Sequence, residues 1–141
     1  MGDEAREELV MMGRIFAASC LRVDDTAGPF NAPCGAFLKL DGQVEFWLSV
    51  NHHPGRTCEE LLALVRQEAL ARSRAGDILG AGLLTVLNSP DGRRRALGMQ
   101  IHTLQSFEML IFECAPDGRS LQEPKPGSPL FQEGLCEFES D

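Results

Sequence analysis

Cys58 follows Thr57 at the start of a stretch with helical spacing, and Arg56, His53 and His52 lie just upstream. A thiol at a helix N-terminus faces backbone N–H groups and the positive end of the helix dipole, and both stabilise a thiolate. With a histidine as general base, Cys58 is one candidate nucleophile, and Cys34 is a second. The same residues have a plainer use. Small thiols pack under helix starts, and no family signature surrounds either cysteine.

His52 and His53 are neighbours, so in an extended segment their side chains diverge, and the HxH and HxxxH spacings of metal ligands are absent. His102, on the same strand face as Gln100, would have to join them through a tertiary contact. The five cysteines, Cys20, Cys34, Cys58, Cys114 and Cys136, are odd in number and contain no Cys-x-x-Cys pair, so neither a zinc ribbon nor a disulfide framework is expected. No metal and no cofactor are expected.

Arg93, Arg94 and Arg95 form the one basic run. They follow a turn, where strand alternation divides them between two faces. They offer a local basic spot for a phosphate or an acidic partner segment, or simply a solvated hairpin. The carboxylate pairs Glu59-Glu60 and Asp24-Asp25 belong to a helix start and a loop, and no Gly-rich phosphate loop is present. Near the C-terminus Leu130, Phe131, Leu135 and Phe138 stand among Gln132, Glu133, Glu137, Glu139 and Asp141. Such a segment can dock in a partner's groove or fold back over its own sheet.

The elements that must position these residues are legible from spacing. Residues 3 to 21 read as a helix with Asp3 as cap and Leu9, Met12, Phe16 and Cys20 as its buried stripe. Residues 22 to 33 read as a loop. Asp41-Gly42 between Phe37–Leu40 and Gln43–Val50 predicts a hairpin turned by positive φ angles, with Trp47 on the more polar face. Thr57 and Glu60 form a capping box for a second helix that Gly76 stops. Apolar segments at 82–88, 97–101 and 107–114 predict three more strands, the last of them central with both faces covered.

The expected architecture is α+β. An antiparallel sheet of about five strands carries two helices on one face, in the order α-β-β-α-β-β-β, around one core within residues 1–115. Residues 116–141, rich in Pro and Gly and acidic, form a mobile or wrapping tail. That order and the Asp-Gly hairpin resemble the roadblock family of GTPase-associated regulators, in the profilin-like group, over roughly residues 3 to 114; the resemblance implies a regulatory domain. The loop at 22–33 and the proline-rich tail depart from the family, whose domains close with a helix. Small acidic type III secretion chaperones are similar in size, charge and alternation of a leading helix with hairpins.

Twenty-one acidic against thirteen basic residues give a charge of −8, which repels nucleic acid and anionic membrane surfaces. The acidic N-terminus does not have the form of a secretory signal, and no run is long enough to span a membrane, so a cytoplasmic location is expected. The function expected is a non-enzymatic protein-binding or regulatory domain, a small homodimer that recognises a protein partner. A secretion-type chaperone is the nearest variant, and a small thiol enzyme using Cys58 or Cys34 is the alternative from another class.

Overall fold

The computed structural model describes residues 4–20, 33–48, 55–88, 95–113 and 122–138. Helix α1 spans Glu4–Cys20 and α2 spans Cys58–Arg74. The strands are β1 (Cys34–Lys39), β2 (Val44–Leu48), β3 (Ile78–Asn88), β4 (Arg95–Thr103), β5 (Phe107–Glu113) and a short β6 (Lys125–Pro126). All pair antiparallel in one sheet of order β2-β1-β3-β4-β5-β6.

Local chemistry explains the element ends. In the first hairpin Gly42 N–H donates to Lys39 O at 2.9 Å, Lys39 N–H donates to Gln43 O at 2.8 Å, and the Asp41 carboxylate accepts the Gln43 N–H. This is a three-residue loop closed by a glycine bulge. Only Gly42 takes a positive φ, 90°, and Asp41 does not, which corrects the tighter turn expected from Asp-Gly. At the start of α2, Thr57 Oγ1 accepts the Glu60 N–H at 3.2 Å while Glu60 Oε1 accepts the Thr57 N–H at 3.0 Å. The Thr57 bond, with help from Arg56, holds the Glu60 carboxyl below its ordinary range. Between β4 and β5, Thr103 Oγ1 accepts the N–H groups of Gln105 and Ser106.

The two helices lie on opposite faces of the sheet, not on one. Leu9 and Ala17 of α1 pack with Ala36, Leu84, Leu97, Met99, Ile101 and Phe112. Val65 and Ala69 of α2 pack on the other face with Phe37, Ile78, Ala81 and Leu83. The reason is visible in β1 and β3, which carry apolar or small residues at successive positions over Cys34–Leu38 and Ile78–Leu87 and so present two faces to be covered. There are accordingly two apolar clusters instead of one core. Trp47, expected on a polar face, belongs to the α2 cluster, its ring 6.4 Å from Phe37. The central position goes to β3 and β4; β5 lies next to last.

Part of the proline-rich segment joins the sheet. Lys125 and Pro126 pair with Ile111 and Leu110 at the margin, where a residue without an N–H is tolerated. Residues 130–138 then cross the part of the second face that α2 leaves open.

Candidate functional site

Three thiols, those of Cys34, Cys58 and Cys136, and one histidine, His102, have described side chains. Cys58 is exposed at the first position of α2, whereas Cys34 is buried in β1 under α1. His52, His53, Arg93 and Arg94 lie outside the described residues. Arg95 opens β4 opposite Asn88. Cys136 lies beside His102, but its Sγ donates to the His102 carbonyl at 3.6 Å, not to the ring. Burial pushes that thiol up to about 12, far from an activated nucleophile, despite an opposing hydrogen bond with Ser73. Among the described residues no group of three His, Cys, Asp or Glu side chains could hold a metal ion. An open cleft of about 360 Å³ at the hairpin end is lined by Lys39, Leu40, Asp41, Arg72, Asp77 and Ile78. Its charges of both signs balance.

The C-terminal segment is held by side chains that read its backbone. Gln100, fully buried in β4, donates from Nε2 to Phe131 O at 2.8 Å and accepts the Phe131 N–H on Oε1 at 2.9 Å. His102 Nδ1 accepts the N–H groups of Leu135 and Cys136 at 2.9 and 3.0 Å. Its proton therefore sits on Nε2. Desolvation lowers the His102 pKa from its ordinary value of 6.5. From α2, Arg66 Nε donates to Gly134 O at 2.8 Å and Ser73 Oγ accepts the Glu137 N–H at 2.8 Å. Gly134, at φ 88°, lies so close that a Cβ there would sit 2.7 Å from the His102 ring. Leu135 is fully buried, while Leu130, Phe131 and Phe138 are partly buried around it, with the Phe138 ring edge-on to His102 at 5.8 Å. These four residues cover the chain's own sheet.

Among the described residues the opposite margin of the sheet, β2, is open. Among the described residues no strand pairs with the outer edge of β2. Because Lys39 and Gln43 form a hydrogen-bonded pair, ladder alternation directs the N–H and C=O of Glu45 and Trp47 toward β1, and those of Val44, Phe46 and Leu48 outward. Phe46 is also exposed, and its ring stacks on Phe16 of α1 at 5.5 Å. On the helix beside Phe16, Ile15 and Met11 form an i, i+4 pair, 56% and 55% exposed. These figures place two large apolar side chains mostly in water on the same side of the sheet as Phe46. The stripe of Leu9, Met12 and Phe16 assigned to the core leaves Met11 and Ile15 off-stripe, and that surplus is the sequence signal for this surface.

The only charge on β2, Glu45, is paired with Arg72 at 3.2 Å. Arg72 also bonds Glu68 at 2.7 Å and lies over the Phe37 ring at 4.6 Å. Partial burial opposes the Arg72 charge, but Glu45 and Glu68 outweigh it and its pKa is raised. The β2 edge thus carries no free charge that would repel an approaching strand.

No helix among the described residues is long and apolar enough to cross a membrane. Comparison with protein-family models, with curated proteins and with solved structures found no match.

Proposed function

We propose that this chain is a non-enzymatic protein-binding domain, acting as a small cytoplasmic homodimer that recognises a protein partner. The observation that carries the reading is the β2 edge, unpaired among the described residues, joined through the Phe46–Phe16 stack to α1, which exposes the apolar pair Met11 and Ile15. An unpaired strand offers hydrogen bonds to another chain, and an adjacent apolar helix face offers the desolvation energy that such bonds alone do not supply.

The contrast between the two sheet margins supports it further. At one, β6 is two residues long and consists of Lys125 and Pro126, which is how a sheet is closed against further pairing. At the other, Val44–Leu48 contains neither Lys nor Pro. Placing charges on the helix face tests the reading: Ile15→Lys with Met11→Glu is expected to abolish partner association while leaving the thermal transition within a few degrees of wild type. Unchanged association by the doubly substituted, folded protein would contradict it.

A further inference from the structure

We propose that the occupant of the β2 edge is a second copy of this chain, whose β2 pairs antiparallel with its mate about a two-fold axis at Phe46. The inference rests on the protein-binding reading and names the interface that makes the homodimer.

Hydrogen bonding selects the register. Only Val44, Phe46 and Leu48 direct their N–H and C=O outward. With Phe46 on the axis, Phe46 faces its mate and Val44 faces Leu48 in both directions, so every facing pair can exchange an N–H···O=C bond each way. Among the described residues, moving the axis to Glu45 or Trp47 shortens the paired run. At Glu45 it also opposes two carboxylates.

Side-chain complementarity agrees with that register. On the α1 face it opposes Phe46 to Phe46 and Val44 to Leu48, which are aromatic and aliphatic cross-strand pairs. On the α2 face it opposes Glu45 to Trp47, and Glu45 remains neutralised by its own Arg72. No like charges meet, although each copy carries a net charge of −8. An axis perpendicular to the sheet keeps both α1 helices on one side. The Met11 and Ile15 pairs of both copies then lie on a common face of a continuous sheet, and two exposed patches become one wider platform for the partner.

Amide exchange followed residue by residue, together with sedimentation of the full chain over a wide dilution series, tests the inference. Wild type is expected to sediment as a dimer in which the amides of Val44, Phe46 and Leu48 are protected together with those of Glu45 and Trp47. Phe46→Pro removes an outward N–H that no bond among the described residues uses, so it is expected to fold, halve the sedimenting mass and expose Val44 and Leu48 while Glu45 and Trp47 stay protected. If that variant does not fold, Val44→Lys, which places a charge opposite Leu48 of the mate, is read in its place with the same expectation. A wild-type monomer throughout the series, or a dimer in which Phe46 and Leu48 exchange freely, would overturn the inference. A monomer that still loses its partner when charges are placed at Met11 and Ile15 overturns the second copy and leaves the partner-binding part of the reading standing. A β2-paired dimer whose partner binding is indifferent to those charges does the opposite.

Discussion

His102 Nδ1 accepts the main-chain N–H of Leu135 at 2.9 Å, and the imidazole of β4 thereby fixes the centre of the C-terminal segment. A protonated imidazole has no acceptor. It would turn an N–H toward the amides of both Leu135 and Cys136 and leave all three donors unpaired.

The stability of the segment is therefore expected to depend on pH. Burial lowers the folded-state pKa of His102 below its unfolded value of 6.5. Its contribution is fully present above that value and is lost as pH falls from there through the lower folded pKa, because the unfolded chain then binds the proton first. Urea unfolding of wild type is expected to show this loss, and His102→Asn, whose carboxamide oxygen can accept without titrating, is expected to flatten the curve over that interval. An identical pH profile in the two proteins would refute the assignment.

Gln100 supports the same segment by a different route. Gln100→Leu leaves the N–H and C=O of Phe131 without partners, and we expect a cost of about 2 kcal/mol in urea unfolding. Amide exchange across residues 130–138 is expected to rise more than exchange in α1, which packs on the other face. Equal increases in both regions would mean that the effect is global.

The described thiols are expected to differ sharply in reactivity. Cys58 is exposed and should be alkylated first. Cys34, buried under α1, and Cys136, whose thiol is pushed up to about 12, should remain unmodified in the folded chain. Mapping the adducts by mass spectrometry at slightly alkaline pH checks the order, and in Gln100→Leu Cys136 should become modified as the segment loosens. Prompt labelling of Cys136 in folded wild type would contradict the packing described.

How much of this was legible in the sequence depended on range. The capping box at Thr57 and Glu60, the glycine of the first turn and the alternation of Val44 to Leu48 are local, and spacing alone announces them. The faces of the sheet are not local. A helical stripe reports that α1 is covered but not by which side of which strand, and β1 and β3, apolar in both directions, leave the choice open. Gln100 and His102 were recognisable as polar neighbours on one strand face, yet their partners lie 31 and 33 residues away in a segment whose proline content argued against order. Composition could not show that its glycine and backbone amides would meet buried side chains. The open edge was likewise invisible, because pairing order is a tertiary property, while the surplus apolar residues Met11 and Ile15 were in plain view.

The most direct measurement of the central claim is photocrosslinking from position 15 inside the source cell, with a photoreactive residue replacing Ile15 and an otherwise identical protein carrying it at Arg74 as control. Ile15 is an exposed residue of α1, and Arg74 ends the helix on the opposite face of the sheet. The account predicts a defined covalent adduct with one protein species from position 15 and none from position 74. The same diffuse pattern from both positions, or no adduct from position 15 in folded protein, would contradict it.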